Sequence, residues 1–448
     1  MPKAIDLFAG PGGLSLGLGA AGFEIVSAVE SDSAAGETYR HNIGAHTKIR
    51  DITEFDPNRL RERLESDGVL ASGDNISLVA GGPPCPGFSL IGRSKIMDLI
   101  RKGKGEWADR KEFEHRFIDD PRNRLFREFV KYVQVFQPDY FLMENVTGMS
   151  SYNLDGDPVI QVIKDSFGDD YNVEDFILRA SDYGVPQNRQ RIIFLGSRAG
   201  MPRCEVPEPT HLDGKITALD AIRDLWNVEP TDDGVVRVRD DDWDTAGRRF
   251  RTEMRNWECY REDGNAVASR TGRKTCHWTR KVNDRDSVLF PFIRSGAPGF
   301  QKGSVTIPDS RPRQIYGDIY PDMWREHLVP AFKKAGLGVW KRYGRHHVRN
   351  KDGKRWVMYP SEIFKDKMRR IRWDNPAPTI VAHLAKDGYM FIHPSEHRTI
   401  TVREAARFQS FPDAFEFRGP MSAQFHQVGN AVPPLMAKAI GQAIIKHC

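Results

Sequence analysis

The sequence predicts an α/β protein built on a doubly wound, largely parallel sheet that is interrupted by a long irregular insertion. Two observations predict it. From residue 3 to 199, short β-rich apolar runs alternate with helix-like segments. Near 200 that rhythm stops, and it tightens again only after 373. At 448 residues the chain exceeds the usual size of one core, so two domains are expected, one inserted into the other.

The predicted strands are KAIDLFA (3–9), EIVSAVE (24–30), ISLVAG (76–81), DYFLMENV (139–146), VEDFILRA (173–180) and RIIFLGS (191–197). Between them, helices are predicted over 14–21, 33–42, 57–66, 122–136 and 158–167. Residues 90–121 are highly charged and long for a loop in a compact domain, as lids and disordered segments are. Residues 200–373 are rich in Arg, Gly, Pro and Trp and lack periodicity. After them come NPAPTIVA, a helix-like TVREAARFQSF (401–411) and a last helix near PPLMAKAIGQAIIKH, where Pro433 and Pro434 suit a helix start.

Composition narrows the function classes. No apolar run approaches the roughly 18 residues that span a bilayer, and MPKAIDLFAG does not read as a secretion signal. A cytoplasmic protein with no membrane partner is expected. Five scattered cysteines, Cys85, Cys204, Cys259, Cys276 and Cys448, have no CxxC spacing, so neither a disulfide framework nor a metal site is expected. Lys and Arg outnumber Asp and Glu 35 to 25 over 200–373, and the remainder is mildly acidic at 31 to 36. Residues 333–355 hold nine basic residues and one acidic residue, with Trp340 and Tyr343 interleaved. Such a run is either a solvated charged face or a polyanion-binding surface.

Three constellations carry chemistry. In DLFAGPGGLSLGLGAAGF, Gly10, Gly12 and Gly13 end a strand and open a helix, a turn that lets a ligand approach backbone amides. Glu30, twenty residues past Gly10, ends the second strand, where a carboxylate can accept hydrogen bonds from ribose hydroxyls; together they read as a nucleoside site. In GGPPCPGFS, Cys85 follows a strand and is flanked by prolines. It could be a nucleophile, a metal ligand or a small core residue; the absence of a PCxxC spacing removes zinc deaminase chemistry. A nucleophilic thiol also needs positive charge or a base nearby, because a free thiol is only a few per cent ionised at neutral pH. Glu144 ends the DYFLMENV strand, and Arg189 and Arg191, two apart in QNRQRIIFLG, project to one face of an extended chain.

The ordered set resembles the DNA (cytosine-5) methyltransferases: DLFAGPGGLSLGL, VES, RDITEF, GGPPCPGFS, ENV, QNRQRIIFLG, REAARFQSFP and GNAVPP. The resemblance implies a Rossmann-like S-adenosylmethionine-dependent methyltransferase sheet divided as 1–199, 200–373 and 374–448. The first part is the cofactor-binding catalytic domain, the second an inserted target-recognition domain, and the third completes the catalytic domain. It implies S-adenosyl-L-methionine over Phe8, Gly10, Gly12, Gly13 and Leu14, with Glu30 on the ribose and Asp51 and Ile52 at the adenine. Pro83 and Leu125 would be further contacts, and Asn430 and Val432 would close the site. Cys85 would attack carbon-6 of a cytosine flipped from double-stranded DNA. Glu144 would bond ring nitrogen 3 and the exocyclic amine, Arg191 the base carbonyl, and Arg189 would support it. The charged segment 90–121 corresponds to the family's catalytic loop. Pro86 departs from the glutamine often found after the cysteine, and the DNA-backbone contact of that glutamine does not transfer. The expected setting is a bacterial restriction-modification or defence system, with a cognate endonuclease and a monomer acting on DNA. Methylation of tRNA and a catalytically silent DNA-binding protein are the alternatives.

Overall fold

The computed structural model describes residues 1–71, 74–84, 121–154, 156–226, 228–237, 247–260, 266–267, 273–292, 328–342, 345–357, 369–386 and 388–448. Seven strands form one sheet: β1 (Lys3–Leu7), β2 (Glu24–Glu30), β3 (Thr47–Ile49), β4 (Leu78–Gly81), β5 (Tyr140–Val146), β6 (Tyr171–Arg179) and β7 (Gln190–Arg198). Their order is β3-β2-β1-β4-β5-β7-β6. From β3 to β5 all neighbours are parallel, whereas β7 runs antiparallel to both β5 and β6. The order reverses at β1, so the carboxyl ends of β1 and β4 flank the switch point, where open α/β sheets bind ligands.

The six predicted strands are all present, with ends displaced by two residues at most. The three-residue β3 was not predicted; it is too short to show a period. Helices α1 (Gly13–Ala21), α2 (Ser33–Asn42) and α3 (Pro57–Ser66) follow the predicted ranges closely. Helix α4 (Phe126–Phe136) starts later than predicted, after a single 3-10 turn over Pro121–Arg124, and α5 (Val159–Asp165) is slightly shorter.

Alternation along the strands builds two cores, one on each sheet face. Ala4, Leu78, Ala80, Leu142, Ile193 and Leu195 face the side covered by α1 and the C-terminal helices. Ile5, Leu7, Val79, Phe141, Met143, Ile192 and Phe194 face the side covered by α3, α4 and α5. Full burial of each large apolar side chain contributes about 1.5–3 kcal/mol.

The C-terminal segment closes the first core. Helix α8 (Val402–Phe408, numbered after α6, Ala218–Ile222, and α7, Arg248–Asn256) begins in a capping box between Thr401 and Glu404. Helices α9 (Met421–Asn430) and α10 (Pro434–Ile444) follow, the last with Pro433 as its N-cap and Pro434 as its first residue. Helix α10 packs on α1 at backbone distance. A Cβ at Gly17 would lie 2.4 Å from the Pro434 oxygen, and one at Gly13 2.3 Å from the Val432 oxygen.

The middle of the chain is joined to the first core and has a small one of its own. Ala218, Ala221, Ile222, Leu225, Phe250, Met254, Cys259 and Cys276 lie in the first core with α8 and α10. Leu289, Phe290, Leu328, Phe332, Leu337, Val348 and Ile392 form a separate small core. Beside it is a three-stranded antiparallel sheet over Gly338–Arg342, Arg345–Arg349 and Arg355–Val357.

Buried charge ties these parts together. The Arg407 guanidinium is fully buried, donates to both oxygens of Asp413 at 2.5 and 2.8 Å, and reaches Asp224 at 3.0 and 3.2 Å. It also donates to the Ala221 carbonyl at 2.6 Å. Arg403, equally buried, donates to the carbonyls of Thr275, Pro412 and Phe415. Burial raises the Asp413 carboxyl, but Arg407 and Lys274 outweigh it and hold Asp413 well below the usual carboxylate range. Arg407→Met would leave two acidic partners short of a buried counter-charge and is expected to cost about 3–5 kcal/mol in urea unfolding. A loss under 1 kcal/mol would show that the network is dispensable.

Candidate active site

The carboxyl end of β1 is built to expose backbone. Phe8, Gly10 and Gly12 all have positive φ, at 58°, 56° and 102°, so the chain coils tightly before α1 begins. The glycines have different reasons to lack a side chain. A Cβ at Gly12 would meet Ile43 Cδ1 at 2.1 Å, and one at Gly13 would meet Val432, whereas one at Gly10 meets nothing within 4 Å. Gly12 and Gly13 are packing requirements; Gly10 borders open space.

Glu30 ties the end of β2 to this turn. Its Oε2 accepts from the Gly10 amide at 2.8 Å and its Oε1 from the Asp32 amide at 2.7 Å. Burial raises its pKa and those two amides partly counter the shift. Each oxygen keeps a lone pair for a further donor, which is the pattern that would hold a vicinal diol. Phe8 and Leu125 pack at the edge of the second core, in which Ile52 is buried, giving an apolar wall on that side. Asp51 caps a 3-10 turn, its Oδ1 accepting from Thr53 N at 2.9 Å and Thr53 Oγ1 at 2.8 Å. Leu14 is buried in the first core, so it can offer a ligand only backbone. Asn430 lies exposed at the end of α9, its Nδ2 3.3 Å from His426 Nδ1, and Val432 is packed over Gly13.

The second set lies at the same sheet edge. Antiparallel pairing of β7 on β5 sets Ile193 opposite Glu144 and Arg191 opposite Val146, which brings the Arg191 side chain back over the carboxylate. Arg191 Nε lies 2.7 Å from Glu144 Oε1, and both side chains are largely buried, at 12% and 11% exposure. That oxygen nevertheless accepts no aligned hydrogen bond among the described residues, so the contact is one of charge. Gly82, at the end of β4, borders Glu144: a Cβ there would lie 3.3 Å from Oε2. Pro83 is held by its carbonyl, which accepts from Asn145 Nδ2 at 3.1 Å. Cys85, Pro86 and nearly all of segment 90–121 lie outside the described residues; Pro84 and Pro121 bound that stretch. Arg189 does not join Glu144. Its guanidinium is buried and donates through Nη1 to the carbonyls of Ile380 at 2.9 Å and Gly429 at 3.2 Å.

Sequence reasoning missed a buried polar chain under the Gly-rich turn. Ser15 Oγ donates to Asp6 Oδ2 at 2.6 Å and lies 2.8 Å from the Tyr39 hydroxyl, which is 2.9 Å from His46 Nε2. The available signal was an aspartate in the otherwise apolar strand AIDLFA. Among the described residues no cluster of His, Cys, Asp or Glu could hold a metal ion, and no helix is long and apolar enough to cross a membrane.

A family model for C-5 cytosine-specific DNA methylases matches residues 2–446. The chain belongs to that family. This cytosine-5 DNA methylase is 30% identical to the type II methyltransferase M.AgeI of Thalassovita gelatinovora over 99% of both chains. It is 31% identical to M.XorII of Xanthomonas oryzae pv. oryzae over 99% of its own length and 85% of that protein. M.DdeI of Desulfomicrobium norvegicum is also 31% identical, over 98% of this chain and 88% of that one. A prophage-encoded E. coli protein described as a DNA modification methyltransferase shares the fold at a TM-score of 0.66 and 22% identity, covering 100% and 99% of the two chains.

The methylase carries a titrating group under its turn. Burial pushes the Asp6 carboxyl up to about 7 from 3.8; hydrogen bonds from Ser15 oppose the shift and Glu30 adds to it. The unfolded chain ionises Asp6 near 3.8, so between about 4 and 7 the folded state binds more protons and this contribution to stability falls as pH rises. Asp6→Asn removes that slope. Its stability relative to wild type is expected to rise by on the order of a few kcal/mol between pH 4 and 7, read by urea unfolding at each pH. A pH-independent difference would place the Asp6 carboxyl at its ordinary value.

Proposed function

We propose that this methylase is a sequence-specific type II enzyme that transfers the methyl group of S-adenosyl-L-methionine to carbon-5 of a cytosine flipped out of duplex DNA, through a transient bond to Cys85. The observation that carries the reading is the convergence, at one sheet edge, of the Gly10–Glu30 turn and the Glu144–Arg191 pair. The residues fit the cofactor: Gly10 opens onto free space, Glu30 keeps acceptor capacity for ribose hydroxyls, and Phe8 and Leu125 at the margin of the Ile52 core supply an apolar wall for adenine. Val432 packs over Gly13 of the turn, and Asn430, Asp51 and Pro83 would supply further contacts. Bound there, the cofactor supplies an electrophilic methyl group.

The protein's part is to make carbon-5 nucleophilic. Cys85 Sγ, as thiolate, would form a bond to carbon-6, and the 5,6 double-bond electrons would move to carbon-5, which would take the methyl group as its bond to the donor sulfur breaks and S-adenosylhomocysteine leaves. Charge builds on the ring during that addition. Glu144, as the acid, donates to ring nitrogen 3 and accepts from the exocyclic amine, while Arg191 donates to the base carbonyl. The tight contact of Arg191 and Glu144 keeps both aimed before the base arrives, so little reorganisation is needed. Loss of the carbon-5 proton and cleavage of the carbon-6–sulfur bond release 5-methylcytosine and regenerate Cys85. Extruding the base costs a few kcal/mol, partly recovered by these contacts.

Residues 200–373 would be the target-recognition domain, and its basic excess would neutralise DNA phosphates. The type II names of M.AgeI, M.XorII and M.DdeI favour an enzyme that protects host DNA from a cognate endonuclease; it would act in the cytoplasm, as a monomer on DNA.

Incubated with labelled S-adenosyl-L-methionine and mixed duplex DNA, the wild-type enzyme is expected to label cytosine. Cys85→Ala should abolish the label, and Glu144→Gln should lower the rate roughly 100-fold or more at unchanged cofactor binding. Undiminished label with Cys85→Ala, or label on tRNA with none on DNA, would contradict the reading.

A further inference from the structure

Arg189 sits two residues from Arg191, immediately before the strand that would recognise the base, yet it is turned into the protein and only 1% exposed. With Gln187 and Gln409 it forms a knot of three side chains. Gln187 donates to the Phe408 carbonyl at 3.1 Å and to Gln409 Oε1 at 2.9 Å, and it accepts from the Ile380 amide at 2.7 Å. Gln409 donates to the carbonyls of Val428 at 2.6 Å and Ala431 at 3.3 Å. Arg189 bridges these same two segments directly, donating to Ile380 and Gly429. The short parallel pairing of Gln187–Asn188 with Ala377–Pro378 completes the join.

What this knot fixes is the backbone of residues 428–432. Gly429 lies so close to Ala382 that a Cβ would approach its amide nitrogen to 2.2 Å, and three residues on, the Val432 carbonyl rests on Gly13 of the cofactor turn. A continuous chain of contacts therefore runs from the base-recognition strand through Arg189 and Gly429 to the wall of the methyl-donor site. Moving Gly429 would move Asn430 and Val432.

We propose that Arg189 is a positioning residue for the cofactor: it holds the 429–432 wall against the Gly-rich turn, so methyl-donor affinity depends on a side chain at the entry to the base-recognition strand that touches neither ligand. The proposal rests on the assignment of S-adenosyl-L-methionine to that turn. The competing geometry is a base contact through Arg189 Nε, which has no hydrogen-bond partner among the described residues.

Calorimetric titration of the full-length protein with S-adenosyl-L-methionine, without DNA, separates the two. Arg189→Met is expected to weaken binding about ten-fold, the effect of losing one or two hydrogen bonds from a charged donor. Arg189→Lys should recover part of the loss. Gly429→Ala, which disturbs the other end of the contact, should weaken binding in the same direction, and both variants should raise KM for the cofactor. Thermal melts establish that each variant is folded at the titration temperature, and if Arg189→Met is not folded, Arg189→Lys and Gly429→Ala read the same quantity. Wild-type cofactor affinity in the folded variants, with loss confined to the DNA-dependent step, would overturn the proposal and place Arg189 on the base. Glu30→Ala serves as the reference: retained binding there would refute the cofactor assignment itself.

Discussion

The site depends on one close approach, that of helix α1 to the backbone of the C-terminal segment. Gly13 and Gly17 leave no room for a Cβ because the Val432 and Pro434 carbonyls and Ala437 occupy that space. This contact lets α10 complete the first core over β1, β4 and β5. It also returns residues 429–432 to the turn after β1, more than four hundred residues earlier in the chain. Without it, the Gly10–Glu30 turn would lack its second wall.

Buried charge does the complementary work of fixing how the middle of the chain joins that body. Arg403 and Arg407, on one face of a single short helix, reach residues 221, 224 and 275 on one side and 412, 413 and 415 on the other. Such a network adds little net stability compared with an apolar core of the same volume, but losing any one member leaves a buried charge short of its partner. Geometry is what it secures, and geometry is what a site assembled from distant segments requires.

Much of this was legible in the sequence. The six predicted strands stand out because their apolar runs are bounded by turn residues, and the carboxylates and glycines fall at strand ends by simple alternation. Less legible was where charge would be buried. Counted along the chain, the excess of Lys and Arg in 200–373 reads as a surface for polyanions, yet Arg251, Lys274, Arg285 and Arg370 are nearly or fully buried; part of the excess is internal. TVREAARFQSF likewise reads as helix-like, with nothing in it to show that every residue of Val402–Phe408, both arginines included, is buried. Arg189 and Arg191 were expected on one face. Their heads diverge because one finds carbonyls of two segments, 191 and 240 residues away, and the other finds Glu144 across the ladder. No local period encodes either partner.

The central claim is that a nucleoside-binding turn and a carboxylate–arginine pair share one sheet edge so that a methyl group can be placed on cytosine carbon-5 in a chosen DNA sequence. Bisulfite sequencing of DNA from cells expressing the protein tests that most directly. The account predicts conversion-resistant cytosines within a single short sequence context, absent from cells expressing Cys85→Ala. Resistance scattered without context, unchanged in the Cys85→Ala cells, or absent altogether would contradict it.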